Sequence, residues 1–164
     1  MKYALIVVVF LACVLVGYSI SNRFVKRKKF FNSIIAFADK LSVEINFSRE
    51  RLRVLIENFD ESNKKNLLGI DKKYIDYLDK KSELSNEDIF GKNDVLKAEE
   101  KDFVLLFLKT LGRSDVENQT KEIQSFVARF NDIKSQCDAE YKKYGSLSMK
   151  LGIIVGLFCA VVMF

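Results

Sequence analysis

Both ends of this 164-residue chain are apolar and nearly free of charge, while the stretch between them is densely charged. From Tyr3 to Ser21 nineteen consecutive residues carry no charge. As a helix rising ~1.5 Å per residue they cover about 28 Å of a ~30 Å hydrocarbon core, enough to span it. The fourteen residues from Leu151 to Phe164 are also uncharged, and extending the stretch back to Gly145 gives twenty, with Lys150 included. The Lys150 ammonium can snorkel to the headgroups, so a second span over residues 147–164 is the preferred reading and a re-entrant insertion the alternative. A cleaved signal peptide is the rival reading for the first segment. Against it stand the persistence of apolarity past a normal signal core and the five basic residues that follow.

The net charge of +5 is explained by those flanks. Seven basic residues, Lys2, Arg23, Lys26, Arg27, Lys28, Lys29 and Lys150, border the apolar ends, and without them the rest of the chain is slightly acidic. The basicity therefore marks a membrane boundary and does not point to nucleic acid. Arg23, Lys26, Arg27, Lys28 and Lys29 outweigh Lys2 and the terminal amine, so the positive-inside rule puts the middle of the chain, residues 22–146, in the cytoplasm. The same basic run attracts anionic membrane lipid. Cys13 and Cys159 lie in the apolar segments and Cys137 in a polar helix of a reducing compartment, so no structural disulfide is expected.

Ser148, Gly152, Gly156 and Ala160 recur every fourth residue in the second segment, and Cys13, Gly17 and Ser21 repeat the pattern in the first. A helix face lined with small residues permits close backbone approach, either to a partner or between the two segments.

The absence of proline and the helical periodicity of the middle region predict an all-α antiparallel bundle flanked by the two membrane helices. Phe31, Ile34, Ala38, Leu41 and Ile45, then Leu52, Leu55 and Phe59, keep a 3-4 spacing. A break at Asn46-Phe47-Ser48, with Ser48 as N-cap, divides this seam into two helices. Ser62 to Gly69 reads as a polar connection, and residues 71–81 as a short helix. Ser85 with Asp88 starts another, which Gly91 closes. Asp94 is read as the cap of a buried helix running to Leu111, apolar all round through Phe103 to Leu108. Gly112 ends it, and Ser114 with Glu117 caps a long last helix bearing Val116, Ile123, Phe126, Phe130, Ile133, Cys137, Tyr141 and Tyr144 at 3-4 spacing.

No catalytic chemistry is legible. With no histidine and three scattered cysteines, zinc sites and Ser-His or Cys-His hydrolases are excluded, and the glycines form no phosphate loop. Neighbouring carboxylates such as Glu99 and Glu100 read as solvated helix surface. The chain is therefore expected to be non-enzymatic, with no metal or cofactor. The most informative local feature is the turn Leu111-Gly112-Arg113-Ser114-Asp115 with Gln119 one turn later. Leu111, Gly112 and Ser114 set its geometry, and Arg113, Asp115 and Gln119 are available for a partner.

An N-terminal anchor followed by basic residues, Glu44-Ile45 in the first helix, the Leu111 to Asp115 turn with Gln119, and Tyr144-Gly145 leading into a terminal apolar segment together resemble the stage III sporulation protein AB family. The resemblance covers nearly the whole chain. Ser48-Arg49-Glu50 departs from it where the family often has a proline, and a tryptophan common in its middle region is lacking. It implies a multi-pass protein of the mother-cell membrane around the forespore, with a cytoplasmic bundle similar to the platform protein of type II secretion and type IV pilus machines. It further implies a scaffold in the secretion-like channel complex linking the two cells, with the other membrane proteins of that complex and a secretion-type ATPase as partners. A second copy of the chain is left open as a partner. From a different class, the alternative is a membrane-bound sensor or transducer that dimerises along the Phe31 to Phe59 seam. In the bilayer, Gly152, Gly156 and Ala160 are the expected packing residues.

Overall fold

The computed structural model describes residues 2–43, 49–80, 84–91, 94–111 and 116–163. All regular structure among them is helical: α1 (Lys2–Val43), α2 (Arg49–Glu57), α3 (Glu61–Asn66), α4 (Ile70–Lys80), α5 (Asn86–Phe90), α6 (Ala98–Thr110), α7 (Val116–Glu140) and α8 (Ser146–Met163). A five-residue π-turn, Tyr141–Gly145, joins α7 to α8. The chain forms two compact units, Lys29–Lys134 and the pair Met1–Lys28 with Ser135–Phe164.

The Lys29–Lys134 unit is built on the predicted seam. Phe31, Ile34, Ala38, Leu41, Leu52, Leu55 and Phe59 are all buried, joined by Phe30, Phe37 and Ile56. Each large apolar side chain withdrawn from water contributes roughly 1.5–3 kcal/mol before entropy is counted. Phenylalanines dominate the contacts: Phe37 meets Phe59 at 5.5 Å and Phe107 at 6.5 Å between ring centroids, and Phe107 meets Phe126 and Phe130 at 5.3 Å, all edge-on. The Tyr74 hydroxyl donates to the Leu108 carbonyl at 2.9 Å, satisfying a C-terminal acceptor that α6 itself leaves open. The buried Ser33 hydroxyl donates to Asn63 Oδ1 at 2.9 Å.

Several local expectations change here. The polar stretch read as a connection contains α3, capped by the Asp60 carboxylate, which accepts the Asn63 N–H at 3.2 Å. Its six residues bury no side chain, so no hydrophobic period announces it. Helix α6 starts after Lys97 and not at Asp94, with the Glu100 carboxylate accepting the Lys97 N–H at 2.9 Å. It is also not buried all round: Val104, Phe107 and Leu108 face the core while Leu106 is exposed. Ser85 caps α5 by accepting the Asp88 N–H, and Gly91 closes it with φ +51°, as read from sequence. The expected break at Asn46-Phe47-Ser48, together with Glu44 and Ile45, lies outside the described residues.

In the other unit, the first part of α1 lies antiparallel to the end of α7, the π-turn and α8. Phe10 meets Gly156, Gly17 meets Gly152 and Phe24 meets Gly145, so one strand of contacts advances as the other recedes. A Cβ on Gly17 would fall 2.8 Å from the Ser148 carbonyl oxygen and 3.2 Å from the Gly152 Cα. One on Gly152 would fall 2.9 Å from the Cys13 carbonyl oxygen. These obstacles are backbone, so the helices approach this closely only because both residues are glycine. Helices long and apolar enough to cross a membrane run over Tyr3–Val43 and Thr120–Val162, and only 11% of each apolar window is buried, the reverse of a soluble core helix.

Candidate functional site

At the polar base of this helical pair the sequence sets a basic residue where periodicity calls for an apolar one. Arg27 stands seven residues before Ile34 and fourteen before Leu41, hence on the inward seam of α1. It is 5% exposed, and its guanidinium donates to the Glu140 carboxylate at the end of α7. Beside it, Lys28 Nζ meets Asp138 Oδ1 at 2.7 Å, with both side chains about a third exposed. Removing a guanidinium from water is costly, and a pair of this kind is retained where it fixes register more than where it adds stability.

Immediately beyond Glu140 the helix widens. The Ser146 N–H donates to the Tyr141 carbonyl, five residues back, which defines the π-turn. Cys137 and Gly145 are both buried although eight residues apart, whereas two regular turns take about seven. The π-turn absorbs the extra residue and keeps one face directed at α1. For the same reason Tyr144, expected on the seam, is exposed, and Gly145 takes the inward place. A side chain at Gly145 would strike the Tyr141 ring at 2.6 Å and touch Phe24 at 3.5 Å. One turn on, the Ser148 hydroxyl donates to the Tyr144 carbonyl at 2.6 Å, so a polar group entering the apolar length is satisfied within its own helix.

The residues singled out from sequence fall in several places. Gly156 is buried against the Phe10 ring, Gly152 is half-buried with its Cα against Gly17, and Ala160 is half-buried. Of the basic run, Arg23, Lys26 and Lys29 are exposed, Lys28 is half-buried and Arg27 is inside. Leu111 is buried at the end of α6. Gly112, Arg113, Ser114 and Asp115 lie outside the described residues; Gln119 belongs to the first turns of α7, with its side chain outside that description. Sequence reasoning missed Glu140 and Asp138 as partners of the basic run and missed the inward position of Arg27. The signal available for Arg27 was its heptad spacing to Ile34 and Leu41.

Among the described residues no three His, Cys, Asp or Glu side chains gather as a metal-binding group. In the Lys29–Lys134 unit a groove of about 640 Å³ is lined by Glu57, Glu61, Lys64, Lys65, Asp71 and Lys72 among others. Its charges largely serve each other. Lys64 donates to the Glu57 carbonyl at 2.7 Å and to Glu61 at 2.9 Å, and this hydrogen bond with its charge holds the Glu61 carboxyl below its ordinary range.

These features define an all-helical protein with a glycine-packed antiparallel pair of candidate membrane spans, closed at its polar end by two ion pairs. A model of the family described as stage III sporulation protein AB matches residues 2–164, and the chain belongs to that family, with a role in stage III of sporulation. No curated protein and no solved structure gives a match.

Proposed function

We propose that the chain is a non-catalytic platform in the secretion-like channel complex between mother cell and forespore. Both apolar ends sit in the mother-cell membrane as a helical hairpin, and the Lys29–Lys134 unit offers its surface to a cytoplasmic secretion-type ATPase and to other membrane proteins of the complex. The bundle takes the place of the platform protein's cytoplasmic domain in secretion machines. The observation that carries this reading is the backbone-close pairing of the two apolar ends through Gly17 and Gly152, in a family of sporulation proteins. A pair joined this tightly acts as one anchor and concentrates the attached unit near its membrane partners. The transducer alternative needs an exposed dimerisation seam. The burial of Phe31, Ile34, Leu41, Leu52 and Phe59 speaks against it.

Arg113, Asp115 and Gln119, which follow the buried Leu111 in the sequence, are assigned as the partner-contact residues. Affinity capture from sporulating cells tests the reading. The wild-type chain is expected to recover the secretion-type ATPase, and Asp115→Arg, with helical content unchanged by circular dichroism, to lose it. Recovery of the chain alone by the wild type contradicts the platform.

A further inference from the structure

We propose that the base of the hairpin binds the phosphate of an anionic phospholipid headgroup, through Lys26 of α1 and Lys142 and Lys143 of the π-turn. The proposal rests on the reading of the two apolar ends as membrane spans.

Around the base of the pair stand six cationic side chains, Arg23, Lys26, Arg27, Lys28, Lys142 and Lys143, and two acidic ones, Asp138 and Glu140. Both acids are engaged within the pair, Glu140 by Arg27 and Asp138 by Lys28. Lys26, Lys142 and Lys143 are exposed, and no carboxylate among the described residues pairs with them.

Geometry then places these three at one height. Lys26 lies between Phe24, which meets Gly145, and Arg27, which meets Glu140; Lys142 and Lys143 lie between those same two partners on the other helix. The contacts that bracket the lysines hold them within about one helical turn of each other. Lys143 Nζ sits 5.1 Å over the ring of Tyr144, which is 47% exposed, an amphipathic side chain of the kind that settles at headgroup level. Directly beyond this level both helices become apolar and outward-facing, with Tyr18 and Ile20 on one and Leu147 and Leu151 on the other. The phosphate of a lipid lying against that surface therefore reaches the lysines, whose flexible stems suit a mobile anion. A choline or ethanolamine headgroup adds its own cation to the cluster and loses the advantage.

The test uses the full chain reconstituted in vesicles of phosphatidylcholine with and without phosphatidylglycerol, followed by native mass spectrometry of the lipids retained after release. The wild type is expected to float with both vesicles and to retain phosphatidylglycerol preferentially from an equal mixture. K26Q/K142Q/K143Q is expected to lose that preference, roughly fivefold for each lysine at about one unit of surface attraction. The arginine triple K26R/K142R/K143R is expected to keep it, as is a control, K65Q/K72Q/R129Q, that removes three exposed cations of the Lys29–Lys134 unit. A glutamine triple that still selects phosphatidylglycerol, a wild type that floats but shows no selection, or full displacement of the lipid by inorganic phosphate overturns the proposal. A chain that floats with neither vesicle overturns the membrane reading beneath it, a result separate from those.

Discussion

Arg27 shows how one residue can satisfy two demands. By position it belongs to the basic run that orients the chain, and by spacing it belongs to the seam that continues through Ile34 and Leu41. Burial decides between them: the guanidinium is inside and needs Glu140. Arg27→Ala is therefore expected to destabilise the chain by about 2–3 kcal/mol, at or below the range for fully buried pairs because the Glu140 side chain keeps 28% of its exposure. Arg27→Met with Glu140→Leu is expected to recover most of that loss. Thermal unfolding in detergent of the wild type, Arg27→Met, Glu140→Leu and the double variant completes the cycle, and strictly additive losses would show that the two groups are uncoupled. The inward role was hard to read because five basic residues in seven look alike as a topology signal. Only the heptad distance separates Arg27 from Lys26 and Lys28.

At the level of elements, the α1 seam from Phe31 to Leu41 was legible because a 3-4 apolar spacing is a direct record of which face is buried. Helix α3 was not, since Glu61–Asn66 is polar on every side and is held by the Asp60 cap. The π-turn was equally silent. Its signature is one extra residue in a hydrogen-bonded ladder, which leaves no mark on composition, and a regular helix extrapolated from Cys137 puts Tyr144 inside where Gly145 is found. Deleting Lys142 should convert the π-turn to a regular turn and, because seven residues then separate Cys137 from Gly145, leave Gly152 on the face of Gly17. Gly152→Val should separate the same helices by steric force, because the Cys13 carbonyl and the Gly17 backbone cannot give way. Spin labels on the exposed Tyr18 and Leu151 report both effects. The otherwise unmodified chain and the Lys142 deletion are both expected to give a short, narrow distance, and Gly152→Val a longer or broader one; a lengthened distance in the deletion, or an unchanged one in Gly152→Val, removes the corresponding claim.

For the whole molecule, the all-helical class and the two apolar ends were readable from charge segregation and the lack of proline, and the family match over residues 2–164 places the chain in sporulation. The proposed partner turn was reached by resemblance and by its capping pattern, and Gly112 to Asp115 lie outside the described residues, so the platform role stays a proposal that draws its support from the pairing of the two apolar ends and from the family. The central claim is that both ends lie in the bilayer while the intervening unit stays in the cytoplasm. Its most direct test is thiol labelling in intact cells of a chain with Cys13, Cys137 and Cys159 replaced and one cysteine introduced at the exposed position of Lys65. A membrane-impermeant maleimide is expected to leave that cysteine unlabelled until the cells are opened, with the chain retained in the membrane after an alkaline carbonate wash. Labelling before opening, or release of the chain by the wash, contradicts the account.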